Sequence, residues 1–175
     1  MTFEENTPTV SNKNYLPETG FKLVLKRAPA LVYFLQKAPI PAIDLGVCKS
    51  PNPFYKYSIP GDHLTFGDLT LTFKCDEDMT NYLEIFAWMI GLGKPDTFEE
   101  YAELASHSII SGKGITSDIM VLINDSRKNV NIQVTYRDAF PYHLSELVFD
   151  STVEDISFVW AEVSFTHSGF LVERL

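Results

Sequence analysis

The side chains that could carry chemistry lie scattered along this sequence of 175 residues. Acid–base catalysis and metal binding both need several polar groups held together, and no histidine has a partner at ligand spacing. The two cysteines, Cys48 and Cys75, lack the CxxC or CxH spacing of a zinc site. Cys75 continues the inward register of a strand, which predicts a buried structural thiol. The histidines are His63, His107, His143 and His167.

Two glycine-containing segments share some features of phosphate-binding loops. Residues 111–114 lack the first glycine of a P-loop and the hydroxyl after its lysine, and no strand leads into them. Residues 91–94 end a helix rather than opening one. The acidic residues 76–78 have no EF-hand spacing, so helix capping explains them better than a bound cation. We therefore expect no enzyme activity, no cofactor and no metal site.

The composition is that of an acidic globular chain. A net charge of -9 and a pI near 4.8 argue against a surface that grips nucleic acid, because phosphate binding needs clustered Lys and Arg. The 45% apolar content is enough for the core of one domain. Thirteen Phe and eight Tyr favour β-structure, association or both. The acidic, polar N-terminus and short apolar runs predict a soluble chain with no membrane association.

The first third of the chain divides into an arm and the start of one domain. Residues 1–17 are polar and aperiodic, which predicts an N-terminal arm, and residues 18–175 are expected to form a single domain. Strand-forming residues predict strands at 21–26 and 31–35. The prolines within residues 42–62 predict an extended loop with short strand pieces.

The clearest strand, residues 64–75, leads into a helix. Alternating apolar and polar side chains identify the strand, and Asp76 or Asp78 is expected to cap the helix, which ends near residue 92. Tyr82 and Trp88 serve either the core or an interface. One apolar stripe at helical spacing predicts the core-facing side: Met79, Tyr82, Leu83, Phe86, Met89 and Ile90.

A long loop, residues 94–117, follows this helix. A capping box predicts a short helix at 98–105, and the remainder is rich in Ser and Gly. Ile109 and Ile110 are apolar neighbours in this loop. We expect them to contact neighbouring subunits, with packing on the chain's own helix as the alternative.

The C-terminal third is predicted to be β-structure. Residues 118–136 form a hairpin, Phe140-Pro141 marks a corner, and residues 156–167 form the last strand. Phe158 and Trp160 lie opposite the inward side chains of that strand, which predicts cover on both of its faces. We assign these two aromatic residues to contacts between subunits.

Two blocks of this sequence together resemble the tail tube proteins of contractile-tailed bacteriophages. The resemblance covers residues 21–167, and residues 38–41 lie where that family has its Leu-Pro pair. The first block comprises residues 59–62, 68–73, 76–78 and the helix that carries Trp88. The second comprises the hairpin, residues 140–141, 146–147 and 149–151, and the alternating Thr, Val and Phe of the closing strand.

The resemblance implies a mainly β fold with α: a β-sandwich or barrel of two packed antiparallel sheets flanked by one helix. It implies homo-hexameric rings that close by sheet augmentation and stack into a tail tube. DNA would pass through the channel without specific binding and leave the virion. Sheath and baseplate or neck proteins would be partners, and the virion tail would be the location after synthesis in the host cytoplasm.

An acidic channel follows from this arrangement. Six copies of a chain with net charge -9 bring 54 negative charges to one ring. Carboxylates in the channel would repel DNA over about 8–10 Å at ordinary salt. Glu146 and Asp150 are the candidates for the channel wall.

The main assignment is a structural subunit of the tail tube, and two alternatives stay open. The arm at 1–17 and the stretch at 94–117 depart from the family pattern, which leaves a tube-initiating or tube-capping ring of the baseplate or neck. A different class of protein is a monomeric β-barrel binding module, which would use its aromatics and the proline-rich residues 38–60 for a ligand.

Overall fold

A computed structural model of the chain describes residues 13–50, 54–93, 99, 114–152 and 158–175. Strands and two helices follow one another along these ranges. In chain order they are β1 (Phe21–Leu25), α1 (Pro29–Phe34), β2 (Leu35–Lys37), β3 (Ile43–Ser50), β4 (Tyr57–Phe66), β5 (Leu69–Lys74), α2 (Thr80–Gly93), β6 (Ser117–Asn124), β7 (Val130–Leu144), β8 (Trp160–Thr166) and β9 (Gly169–Arg174).

The main strands build two antiparallel sheets that share the long strand β7. The first part of β7 pairs with β6 on one side and β9 on the other, and β1 lies outside β6. Its last part pairs with β8, which continues to β5 and then β2. Between the two parts Asp138 has a φ of 54° and the pairing register shifts, so a bulge turns β7 from one sheet into the other. The expected pair of packed antiparallel sheets flanked by a helix is confirmed.

The core lies between the two sheets and follows the alternation of side chains along the strands. On β5, every second residue is fully buried. The ring of Phe165 on β8 lies 6.0 Å from the indole of Trp88, which enters the core from α2. The buried apolar residues of β5 and β8 are Leu69, Leu71, Phe73, Ala161, Val163 and Phe165.

Helix α2 covers the sandwich with a different face from the one that the apolar stripe predicts. Leu83, Phe86 and Ile90 remain exposed, so the predicted stripe is wrong for these three residues. The helix carries apolar side chains around most of its circumference, and periodicity therefore could not select the inner face. Trp88 belongs to the core. The buried side chains of α2 are Asn81, Ile85 and Trp88.

Asp76 caps the start of α2, as the acidic residues before the helix predict. Its Oδ1 accepts a hydrogen bond from the backbone N–H of Asn81 at 3.2 Å. The buried Asn81 amide in turn donates to the carbonyl oxygen of Lys74 at 2.7 Å. This pair of bonds turns the chain from β5 into the helix and satisfies backbone groups at the helix start.

Helix α1 replaces the strand that is expected at 31–35. Pro29 occupies the first turn, where its missing N–H costs nothing. Ala28 at the N-cap provides no side-chain bond, and the carboxylate of Glu84 on α2 accepts the N–H of Ala30 at 3.1 Å instead. The helix therefore depends on a contact 54 residues away, which local sequence does not reveal.

Four other expectations differ from the structure. The loop expected at 42–62 is mostly β3 and β4, because alternating apolar residues outweigh the prolines. The strand expected at 64–75 breaks at residues 67–68. The bend of β7 lies at Asp138, so Phe140-Pro141 continues the strand rather than forming a corner. Strand β9 follows His167 and was not predicted.

Candidate inter-subunit surface

Strands β3 and β4 form a two-stranded ribbon separate from the main sheets. The pairing runs from Ile43 opposite Phe66 to Ser50 opposite Tyr57. At its base the N–H of Gly67 donates to the carbonyl oxygen of Ala42 at 2.9 Å. We call this pair of strands the ribbon.

The ribbon exposes a row of large aliphatic side chains. Leu45 and Leu64 are cross-strand partners, and each leaves about half of its surface in water. An isolated two-stranded hairpin is marginally stable in water, and a large exposed apolar patch usually marks an interaction site. The ribbon is therefore the strongest candidate contact surface in the described chain. Its exposed aliphatic residues are Ile43, Leu45, Val47, Ile59 and Leu64.

A glycine allows the two strands of the ribbon to approach closely at its middle. A Cβ added to Gly61 would lie 2.5 Å from the carbonyl oxygen of Gly46, closer than side-chain atoms approach. The register shifts between Leu45 and Val47, next to this contact. The irregular middle of the ribbon thus depends on the small residue at position 61.

An aromatic cluster anchors the ribbon to the sandwich. The ring of Phe66, at the end of β4, lies 5.3 Å from Phe170 and 6.3 Å from His167. Tyr136 packs 5.1 Å from His167, and burial raises the pKa of Tyr136 to about 12. Within the described part of the chain, the Tyr136 hydroxyl and both ring nitrogens of His167 are buried without a hydrogen-bond partner. These rings fix the direction in which the ribbon leaves the sandwich.

A second apolar surface lies where β5 meets α2. Phe158 and Trp160, at the start of the last predicted strand and of β8, are exposed by 65% and 46%. The predicted cover over both faces of that strand is therefore wrong for a single copy. Lys74 Nζ lies 4.8 Å from the Phe158 ring centre and 5.0 Å from that of Trp160, within cation–π range. We call Phe149, Phe158 and Trp160 the aromatic patch.

A pocket of about 640 Å³ opens beside the aromatic patch. Cys75 lines it and is half-buried rather than buried. Burial and the neighbouring Asp76 raise the pKa of the Cys75 thiol. Its apolar lining includes Phe34, Met79, Leu147, Phe149, Phe158 and Val159.

The outer strands β1 and β2 border a larger cleft of about 1090 Å³. β1 pairs only with β6 and β2 only with β5 among the described strands, so each leaves one edge for a further strand. Unpaired edges are templates for pairing with another chain. Apolar side chains from both sheets line this cleft, among them Leu23, Leu35, Pro39, Val121 and Ile123.

The two candidate channel residues both lie in the segment after β7. Glu146 and Asp150 both have exposed side chains. Asp150 Oδ1 accepts hydrogen bonds from the N–H of Thr152 at 2.8 Å and from its hydroxyl at 2.6 Å, and these bonds lower the pKa of Asp150. Ile109 and Ile110, the other predicted contact residues, lie outside the described residues.

The described residues hold little that suggests other kinds of site. They contain no group of three or more His, Cys, Asp and Glu side chains that could hold a metal ion. None of the helices in the described part is long and apolar enough to cross a membrane. The ribbon was missed from sequence, although the alternation of Ile43, Leu45 and Val47 was a signal for it.

Comparison with known proteins identifies the fold. The sequence matches no protein-family profile and no curated protein. Among solved structures, the tube-terminating cap of the anti-feeding prophage is similar with a TM-score of 0.61 at 14% identity, over 98% of this chain and 99% of that chain.

Two further structures share the architecture. The sheath/tube terminator of PVC, an extracellular contractile injection system, has a TM-score of 0.56 at 12% identity, over 92% of this chain and 98% of that chain. A chain of the anti-feeding prophage baseplate, 6-fold symmetrised, has a TM-score of 0.53 at 10% identity, over 87% and 90%. The chain thus has the fold found in these cap, terminator and baseplate structures.

Proposed function

We propose that this chain is a structural ring subunit of a tail-like contractile tube and that it acts by assembly rather than catalysis. The ribbon carries the proposal: it exposes aliphatic side chains on a hairpin that has little cover of its own. Such a surface gains stability when a partner buries it. The fold shared with cap, terminator and baseplate structures supports a role in assembly.

Ring closure would use the free edges of the outer strands. An edge of β1 or β2 pairs with a different strand of the neighbouring copy, and a head-to-tail contact of this kind closes into a ring when the rotation fits. We propose six copies per ring. The 6-fold symmetrised baseplate that contains a chain of this fold supports that number.

The assembled ring would surround a channel that DNA passes without specific binding. The net charge of -9 favours repulsion of a polyanion, and Glu146 and Asp150 are proposed for the channel wall. Sheath and baseplate or neck proteins are the proposed partners, and the virion tail is the proposed location.

Electron microscopy of the purified full chain, alone and with tail components, tests the proposal. We expect rings with six-fold symmetry in class averages, and a mass of six chains in mass photometry. A protein that stays monomeric under all these conditions and is missing from purified particles would overturn the proposal. It would favour the monomeric binding module instead.

The ring that terminates the tube is a second candidate for the position of this subunit. Its support is the similarity to a tube-terminating cap over nearly the full length of both chains. Quantitative mass spectrometry of purified particles distinguishes the positions. A terminating ring is present once per particle and labels only one tube end with antibody, whereas the main tube subunit is present in many rings along the whole tube.

A further inference from the structure

We propose that the pocket beside the aromatic patch receives the tip of the ribbon of a second copy of this chain, where the tip means Lys49 and the described residues 54–57 at the end of the ribbon. This inference extends the proposed function, because it names the surface that the ribbon contacts. The pocket volume of about 640 Å³ lies within the range of about 300–1,000 Å³ that is typical of binding pockets. Its described lining comes from the end of α1, the end of β5 and its connection to α2, and residues between β7 and β8, and includes no ribbon residue.

The ribbon tip has the side chains that suit this pocket. Tyr55 and Tyr57 are exposed by 65% and 43%, and their ring centres lie 6.1 Å apart. Lys56 lies between them in sequence, Lys49 lies on the facing strand opposite Ser58, and residues 49–57 contain no acidic side chain. The tip therefore presents aromatic rings together with positive charge.

The pocket has the complementary character. Asp76 and Glu77 line it together with Lys74 and with aromatic and aliphatic side chains, so the acidic side chains outnumber the basic one. Asp76 is held in place by the N–H of Asn81, whereas Glu77 is exposed and can pair with a lysine. Lys74 already lies over the rings of the aromatic patch. A tyrosine of the tip can therefore enter the apolar pocket while a lysine of the tip meets an acidic side chain.

The contact must join two different surfaces of neighbouring copies. The ribbon tip and the pocket are separate patches, so a copy that inserts its tip still offers its own pocket to the next copy. Unless two copies exchange tips reciprocally, repetition of this contact extends from copy to copy instead of stopping at a dimer. That property is the one a ring or a stack of rings requires.

Photochemical cross-linking between differently tagged copies tests the docking. The full chain is made with p-benzoylphenylalanine in place of Tyr55 and mixed with an unmodified chain that carries another tag. We expect cross-links between the two chains in the peptide containing residues 74–79, because benzophenone reacts readily with Met79 in the pocket. The same photoreactive residue in place of Tyr15, which is exposed by 95%, provides the control.

Charge reversal gives a second measurement on the same material. Lys49→Glu with Lys56→Glu should lower the yield of cross-linked product roughly fivefold, and Glu77→Lys should restore much of it. Cross-links only elsewhere, only within one copy or not at all would overturn the docking, and so would a yield insensitive to these charges. Rings seen by microscopy without the 74–79 cross-link would overturn the docking alone, whereas this cross-link without rings would overturn only the ring proposal.

Discussion

The indole nitrogen of Trp88 donates a hydrogen bond to the carbonyl oxygen of Ile115 at 3.2 Å. This bond ties the flanking helix α2 to the segment that enters β6. The indole is also the largest fully buried side chain, and the guanidinium of Arg27 lies 5.0 Å from its ring centre. One residue therefore joins the helix, the core and the segment that leads into β6.

Replacement of Trp88 should lower the stability of the monomer strongly. Trp88→Ala removes the side chain that fills the core beneath α2, so we expect a loss of about 3–5 kcal/mol in the free energy of unfolding. Trp88→Phe keeps most of the apolar volume, removes the hydrogen bond to Ile115 and should cost less. Urea denaturation followed by circular dichroism measures both. Phe86→Ala, at an exposed position of the same helix, should change stability by only about 0.5 kcal/mol; an equal loss there would contradict the assigned face.

Glu84→Ala should destabilise helix α1. The carboxylate accepts the N–H of Ala30, and losing a cap of this kind costs about 0.5–2 kcal/mol. Glu84→Gln keeps an acceptor and should cost less. Thermal unfolding of the two variants gives the comparison. Equal losses would show that charge rather than capping matters at this position.

The contribution of Glu84 to stability depends on pH with a defined sign. Burial raises the pKa of Glu84 above its ordinary value of 4.5 in the folded chain. The folded state therefore holds this proton to higher pH than the unfolded state does, and the contribution of Glu84 to stability falls as pH rises from 4.5 through the folded pKa. Relative to Glu84→Gln, the natural chain should lose stability across that window. A relative gain would reverse the inferred direction of the shift.

Polar substitution on the ribbon should weaken assembly and leave the protomer intact. Leu45→Thr with Leu64→Thr keeps two strand-forming residues and removes two apolar side chains, each worth about 1.5–3 kcal/mol when fully buried by a partner. The concentration needed for rings should rise by about tenfold or more. Mass photometry measures assembly, and Thr65→Ser on the same strand is the control. A large fall in monomer melting temperature would mean that the ribbon packs on its own chain.

The pair Ile109 and Ile110 remains predicted as a contact between rings or neighbours. Ile109→Asp with Ile110→Asp should abolish assembly while the monomer keeps its melting temperature, because the charges would lie in an interface rather than in the protomer core. Differential scanning calorimetry and electron microscopy of the same preparation separate the two readings. Loss of monomer stability would place these residues in the chain's own core.

Local patterns in the sequence determined the central strands, one hairpin and one cap. The alternation of Leu69, Leu71 and Phe73 predicts a half-buried strand whatever its position in the fold, because successive side chains point to opposite faces. The hairpin around residues 124–130 and the cap at Asp76 are likewise interactions within a few residues. The resemblance that these features carry led to the fold that the structure has.

The tertiary structure decided which surfaces are buried and which stay open. The inner face of α2 depends on where Trp88 finds space between the sheets, and α1 depends on a carboxylate 54 residues away. The exposure of Phe158 and Trp160 likewise depends on how distant segments pack, and so does the direction in which the ribbon leaves the sandwich. A sequence pattern records the period of apolar residues, but burial depends on what another part of the chain, or another copy, places against them. The candidate contact surface therefore emerged only when the sheets were assembled.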